Sequence, residues 1–459
     1  MFYYQSPTSN YFNESWYKNT YNIKENGMLH YSTIGHKLNY NPSIYFNTEW
    51  YKTKYNINTN PLEHFCSNKN TKPNELCKYF INSSCIWNSN WVNIKGDFAP
   101  LVNEKKRINL LLPSLSISAG PQTIYIFANM LAERGHNVRI ISLYTPVDIL
   151  KFKSEILKRF KFHNNIEIES QFTKDILISY DDIFIASAWW TVYPLKFILG
   201  YLNFKKFFWF IQENELLLHC GDETYAKALE CYNMDYYSFI NTSILKDDLL
   251  KINFNIKEYV CFEPAFDRKL FYYTQKQNNK LQIIFYSRDS SIASRNLVKT
   301  VHHLLLEAYK NNIINEDNCV VYGFGQNKNK NVICNNFYYE DLGFLDIDSY
   351  SELLRNSDIL ISFQMAPHPS YPPLEMAHCN GVCLHTEFSN KTSESMNRYS
   401  DKIILAEPSI NKLLEGLEHC INIVKSKNIS SNFPKLLHDN WETSLSESYE
   451  FLLNKSNCL

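Results

Sequence analysis

Residues 107–143 read RINLLLPSLSISAGPQTIYIFANMLAERGHNVRIISL, and this stretch decides the fold. Ile108 to Pro113 is apolar except for Asn109, the mark of a strand buried on both faces of a parallel sheet. Ser114 to Gly120 is a loop of small residues. From Thr123 to Glu133, Ile124, Phe127, Ala128 and Leu131 recur at helical spacing, and Arg134-Gly135-His136 closes the helix with a C-terminal glycine. Val138 to Leu143 is the next strand. The whole is a βαβ unit, the opening of a Rossmann-like domain.

Downstream, strand-like runs recur at Asp182–Ala186 and Phe207–Ile211, and a polar linker from Gln275 to Lys280 follows Glu263-Pro264-Ala265. A second series then starts. It runs through a strand at Leu281–Tyr286, a helix at Leu297–Tyr309, a strand at Cys319–Tyr322 and a turn at Gly323-Phe324-Gly325. A helix at Tyr350–Asn356 and a strand at Asp358–Phe363 come next. The pattern predicts an α/β protein of two Rossmann-like domains, 107–270 and 281–425, with one cleft between them. A tail, 426–459, carries a last helix around Trp441 to Leu453.

Upstream, the texture is different. Phe12-Asn13-Glu14-Ser15-Trp16-Tyr17-Lys18 returns as Phe46-Asn47-Thr48-Glu49-Trp50-Tyr51-Lys52, and Tyr21-Asn22-Ile23 returns as Tyr55-Asn56-Ile57. His30-Tyr31 returns as His64-Phe65, so all three blocks share one offset of 34 residues. Such a period predicts stacked supersecondary units that bury their aromatics together. Residues 1–100 are therefore expected to form a small, mostly helical repeat module with its aromatics as core.

Hydrophobic residues make up 45% of the 459 residues and charged residues 20%, enough apolar material for substantial cores. Lys plus Arg is 46 against 47 Asp plus Glu, which argues against a nucleic-acid-coating protein. The 12 cysteines never form a CxxC pair and are expected to be reduced thiols. The 13 histidines give no HxxxH or HExxH spacing, so no zinc site is expected. The amino terminus lacks a basic n-region and an apolar h-region, so no secretory signal is expected. The most apolar long window, 192–211, is broken by Lys196, Lys205 and Lys206 and is too charged to span a bilayer. A cytoplasmic location, free or peripheral to the inner face of a membrane, is the expectation.

Three places carry candidate chemistry. Gly120 lies between a strand and a helix N-terminus, where backbone N–H groups either face a diphosphate or simply make a tight turn. Arg288 follows the strand 281–286 and Arg295-Asn296 comes seven residues on, a placement that suits bidentate capture of phosphate oxygens. The densest stretch is Ala366-Pro367-His368-Pro369-Ser370-Tyr371-Pro372-Pro373-Leu374-Glu375-Met376-Ala377. Its four prolines predict a rigid, extended turn with Glu375 in the first turn of the helix behind it, where a carboxylate can accept hydrogen bonds from ligand hydroxyls.

Leu374-Glu375-Met376-Ala377 followed by Gly381-Val382 resembles the donor-site segment of family-4 retaining glycosyltransferases with the GT-B fold. Trp189-Trp190-Thr191, Ile211-Gln212-Glu213-Asn214-Glu215, Phe285-Tyr286-Ser287-Arg288, Pro367 to Glu375 and Asn390-Lys391 are similar to the WsaF-like rhamnosyltransferase branch. The resemblance covers roughly 107–423. The leading repeat resembles the Phe-Asp-x-x-Trp-Tyr modules fused to bacterial glycosyltransferases. Copy two carries Asn60-Pro61-Leu62-Glu63-His64-Phe65, while copy one lacks the Asn-Pro pair.

The resemblance implies a hexosyltransferase of the EC 2.4 class, retaining and metal-independent. It would move rhamnose or a related deoxysugar from a nucleotide-diphosphate donor, dTDP-rhamnose being the candidate, to a growing surface polysaccharide. The acceptor is expected to be a glycan or lipid-linked glycan, with a peripheral membrane or partner-enzyme contact through the repeats. By the same resemblance, Glu375, Arg288 and Glu213 would be the catalytic residues. Gly120, Arg288, Arg295, Asn296, Gly323, His368, Ser370, Tyr371, Glu375, Asn390 and Lys391 would hold the donor. Trp189, Trp190, Thr191, Gln212 and Glu215 would face the acceptor, and the C-terminal tail would pack back on the first Rossmann domain. Two departures stand out: Pro367 occupies the position of the family's first carboxylate, and the basic pair is Arg288 and Arg295 instead of a closer Arg and Lys. A glycan-binding or scaffold protein that kept the fold is the alternative, and a nucleotide-sugar epimerase a lesser one.

Overall fold

The structure is a computed structural model and describes residues 12–43, 46–68, 98–101, 106–116, 119–143, 160–170, 176–252, 254–276, 279–288, 295–325, 328–426 and 436–456. Residues 1–11, 44–45 and 69–97 of the expected N-terminal module lie outside these.

The 34-residue period reappears as geometry. Helices Glu14–Tyr21 and Thr48–Tyr55 each start on an asparagine, Asn13 or Asn47, whose side chain accepts from the Trp16 or Trp50 N–H at 2.9 Å. Each ends on an asparagine in the left-handed region, Asn22 at φ 54° and Asn56 at φ 52°, a conformation asparagine tolerates well. The Tyr17 hydroxyl meets His30 Nδ1 at 2.9 Å, and Tyr51 meets His64 Nδ1 at 2.9 Å. Tyr17, Tyr31, Phe46 and Tyr51 are fully buried, so the aromatics do form the core.

The second helix of each copy starts on an asparagine too, Asn26 before Gly27–His30 and Asn60 before Pro61–Ser67. Pro61 needs no acceptor for an N–H, since it has none. Gly27 does, and Glu14 supplies it, accepting from the N–H groups of Gly27 at 2.7 Å and Met28 at 3.2 Å. Copy two has Thr48 in place of Glu14, and that hydroxyl instead donates to the Tyr40 carbonyl at 2.7 Å. Because the two Tyr–His pairs are equivalent, Tyr17→Phe and Tyr51→Phe should each lower stability by about 1 kcal/mol. Urea titration checks this, and a neutral result at one site would break the equivalence.

The first Rossmann-like sheet has seven strands. They are β2 (Ile108–Leu112), β3 (Val138–Ser142), β4 (Ile166–Ser170), β6 (Ile183–Ala186), β7 (Phe207–Ile211), β8 (Tyr236–Asn241) and β9 (Glu258–Phe262), in the order β4-β3-β2-β6-β7-β8-β9. β2 is parallel to both β3 and β6, with helix Ala119–Glu133 making the first crossover. A separate parallel pair joins β1 (Phe98–Leu101) to β5 (Ile176–Ser179).

Under this sheet lies a buried ionic cluster. Asp182 is completely enclosed and accepts from the backbone N–H of Arg107 at 2.9 Å and of Ser179 at 3.0 Å. The Arg139 guanidinium reaches it at 3.4 Å and Arg107 at 3.8 Å. Asn109, the one polar residue of the β2 run, accepts from Arg139 Nε at 2.7 Å.

The second sheet runs β12-β13-β11-β10-β14-β15-β16. Its strands are β10 (Leu281–Tyr286), β11 (Cys319–Phe324), β12 (Asn329–Cys334), β13 (Phe337–Asp341), β14 (Ile359–Ile361), β15 (Val382–Thr386) and β16 (Ile403–Ala406). All neighbouring strands are parallel except the edge strand β12, which pairs antiparallel with β13. The chain leaves β10 towards β11 and later returns to its other side at β14. That reversal makes the carboxyl ends of β10 and β14 a topological switch point, where open α/β sheets bind ligands.

Helix Trp441–Ser456 lies along β8 and β9. Phe451 meets the Phe239 ring edge-on at 6.2 Å, and the Ser444 hydroxyl donates to the Glu263 carbonyl. By contacts the chain divides into two compact units: residues 1–210 with 221–237, and residues 211–220 with 238–455. Among the described residues no helix is long and apolar enough to cross a membrane, and the nine cysteines there are free.

Candidate functional site

The second unit contains most of the expected site residues. β10 ends where Ser287 is buried and bonded through both its N–H and its hydroxyl to the Phe324 carbonyl, at 2.8 Å and 2.9 Å. The next residue, Arg288, is exposed and makes no hydrogen bond or ion pair with the described residues. Among the described residues, its cation at the switch point has no hydrogen-bond or ion-pair partner. Arg295 is tied down: its carbonyl accepts from Met365 N–H at 2.9 Å, and its Nε lies 3.3 Å from Glu213 Oε2. Asn296 is half-buried in the turn that leads into helix Val298–Lys310.

The proline-rich stretch resolves differently from its sequence reading. The helix runs Tyr371–His378, so Pro372 and Pro373 fall inside its first turn, where no intrahelical N–H is required. Glu375 sits one turn further on, and the dipole argument for it does not hold. Burial pushes its carboxyl up to about 7, against which the Tyr350 hydroxyl donates a 2.5 Å hydrogen bond to Oε2. Its other oxygen, Oε1, makes no hydrogen bond among the described residues.

Ahead of the helix, Ser370 holds φ 62° and ψ 149°, a region that is nearly reserved for glycine. Its N–H donates to His368 Nδ1 at 3.0 Å. His368 is buried, with a pKa pushed down to about 3 by desolvation and then by Lys391 and Arg295, so the ring is neutral. With Nδ1 accepting, the proton must sit on Nε2, and that buried N–H has no partner among the described residues. The Tyr371 hydroxyl accepts from Asn241 Nδ2 at 2.8 Å.

A tight turn, Phe388 to Lys391, supplies the rest. Ser389 donates to Asp248 Oδ1 at 2.6 Å, and Asn390 Nδ2 donates to the Ile244 carbonyl at 2.7 Å. Asp248 also accepts from Asn214 Nδ2 at 3.2 Å. Lys391 is wholly enclosed and donates to the Gln364 carbonyl at 2.7 Å and to His385 Nε2 at 3.0 Å. Desolvation lowers its pKa to about 7, opposed by the Glu213 charge. Glu213 is itself raised by burial, opposed first by Arg295. The side-chain oxygens of Gln364, Asn390, Asn214 and Asn241 are buried without a hydrogen bond, as is His368 Nε2.

Gly120 is the second residue of helix Ala119–Glu133. Gly323 lies within β11, where an added Cβ would sit 2.9 Å from Asp341 Oδ2 and 3.2 Å from Phe285, so close packing accounts for this glycine. Trp189 and Thr191 are fully buried, the threonine capping its own helix by accepting from Ser187 N–H at 2.9 Å; Trp190 is partly exposed. Gln212 is half-buried and Glu215 buried in a short 3-10 turn. Tyr350, Gln364, Asp248, Asn241 and His385 were not read from sequence as site residues, because none sits in a motif with its partner.

Residues 281–418 match the family model described as WsaF, C-terminal domain. The O-antigen biosynthesis protein RfbC of Myxococcus xanthus is 24% identical over 294 residues, which are 60% of this chain and 21% of RfbC. The chain thus spans about a fifth of that curated relative. Among solved structures, Anabaena Alr3699/HepE in complex with UDP and glucose is similar at a TM-score of 0.56 and 12% identity, covering 76% of this chain and 100% of that one. Sucrose-phosphate synthase of Thermosynechococcus elongatus gives 0.52 and 8%, with the same coverage. A TarM mutant of S. aureus in complex with fondaparinux, α-GlcNAc-glycerol and UDP gives 0.51 and 9%, covering 77% and 100%. With its two Rossmann-like sheets and these likenesses, the chain has the GT-B fold of glycosyltransferases, with a second domain similar to the WsaF C-terminal domain.

Proposed function

We propose that the protein is a hexosyltransferase that moves a sugar from a nucleotide-diphosphate donor onto a growing surface glycan. Rhamnose or a related deoxysugar is the proposed sugar, dTDP-rhamnose the proposed donor, and retention the proposed stereochemistry. The observation that carries the reading is Arg288, an exposed arginine without a protein partner among the described residues, at the switch point of a sheet matched by a glycosyltransferase domain. An anion is the ligand it lacks, and a diphosphate fits its two-pronged donor geometry.

In this reading the bond between the sugar's anomeric carbon and the diphosphate breaks while the acceptor oxygen attacks from the same face. The leaving diphosphate takes the acceptor's proton, and Arg288, together with Arg295, neutralises the charge that develops. His368 Nε2–H donates to a donor oxygen, Glu375 Oε1 accepts from ribose or sugar hydroxyls, and Glu213 holds Arg295 in place. No metal enters this scheme. The acceptor is a glycan or lipid-linked glycan, and the aromatic repeats contact a partner enzyme or the membrane periphery on the cytoplasmic side.

The test is thermal stability with dTDP-, UDP-, GDP- and CMP-sugars and the free nucleotides, on wild type and Arg288→Ala. Ligand at about 100 times its dissociation constant adds about 2.7 kcal/mol, a shift of several degrees. One nucleotide class should shift wild type and leave Arg288→Ala, which loses no hydrogen bond or ion pair among the described residues, unmoved. No shift with any nucleotide would favour a glycan-binding scaffold on the same fold.

A further inference from the structure

We infer that Tyr350 is the positioning residue of Glu375: its hydroxyl occupies Oε2 so that Oε1 alone is presented, in one rotamer, to the hydroxyls of the donor. This rests on the donor-site reading above.

Tyr350 belongs to helix Ile347–Asn356, whose start is fixed by Asp346 accepting from Ser349 N–H at 2.8 Å. That start places Tyr350 in the helix's first turn. Its ring is held between Phe271, with centroids 6.1 Å apart at 73°, and Phe324, at 5.4 Å and 45°. Those contacts leave the hydroxyl one hydrogen-bond partner, Glu375 Oε2 at 2.5 Å. The carboxylate in turn has no other donor among the described residues. Besides Glu375, the titratable groups that act on Tyr350 are Cys379, whose thiol burial pushes up to about 12, and Tyr286. Among the described residues, the Tyr350 hydrogen bond is the one influence that favours the charged form of Glu375 against burial.

The consequence is a separable effect. Tyr350→Phe removes one oxygen and keeps the ring packing, so folding should be retained. Glu375 then stays protonated to higher pH and loses its acceptor role at neutrality. Calorimetric titration with dTDP-rhamnose and UDP-glucose from about pH 6 to about pH 9 reads this directly. For the sugar nucleotide that wild type binds, Tyr350→Phe should bind about tenfold more weakly near pH 7 and recover towards pH 9. In Glu375→Gln the acid limb should disappear, and adding Tyr350→Phe should not restore it. A pH-independent loss in Tyr350→Phe, or unchanged binding, overturns the assignment while leaving the donor site standing. Failure of wild type to bind either compound overturns the donor-site reading, and this assignment falls with it.

Discussion

Asp182→Ala is expected to destabilise the protein by about 3–5 kcal/mol, because it leaves buried charges uncompensated. Asp182 is completely enclosed, and both of its oxygens are used. Removing it takes away the carboxylate that faces the buried Arg139 guanidinium and the acceptor that the N–H groups of Arg107 and Ser179 use. Desolvation raises the Asp182 carboxyl and lowers Arg139, so each charge is kept in place by the others against the cost of burial. Chemical denaturation should show the loss near neutral pH, with Asp182→Asn intermediate because it retains one acceptor. A change under about 1 kcal/mol would mean that water or a rearranged side chain satisfies the arginines.

Glu375→Gln should move binding and stability in opposite directions. The carboxyl sits at about 7 in the folded protein, above its ordinary value of 4.5. Between those values the folded chain keeps a proton that the unfolded chain releases, so relative stability falls as pH rises through the window. The amide does not titrate. At about pH 8 the variant should therefore be more stable than wild type by about 1–3 kcal/mol, a gain that fades below about pH 5. Donor affinity should meanwhile fall about ten- to a hundredfold, the worth of a hydrogen bond to a charged acceptor. Parallel melting and titration series across pH check both halves. A variant less stable than wild type at pH 8 would refute the cost assigned to this carboxylate.

Much of the fold could be read locally. The 107–143 stretch gives strand, helix and strand at Ile108–Leu112, Ala119–Glu133 and Val138–Ser142, since burial on both faces writes itself as an unbroken apolar run. β12 and β13 escaped because β12 is exposed or half-buried throughout and β13 alternates buried with exposed residues, so neither carries such a run. Asn109 looked like an interruption; its meaning depends on Arg139, 30 residues away on the neighbouring strand. The helix carrying Tyr350 starts three residues before its apolar pattern does, because Asp346 caps it. The Pro-rich loop was legible as rigid, but the start of its helix was not: proline both breaks and begins helices, and tertiary packing decides which. Trp189 and Thr191 read as a recognition surface, yet their side chains are spent on the interior.

The backbone at Ser370 has a consequence for when binding energy is used. A serine at φ 62° and ψ 149° costs about 1–3 kcal/mol relative to a relaxed loop. The His368 ring, the proline-started helix and the buried residues 366–369 together hold it there. That work is done once, at folding, by the apolar core beneath the loop. A ligand reaching His368 and Glu375 meets a surface already set, and little of its own affinity is consumed in shaping it.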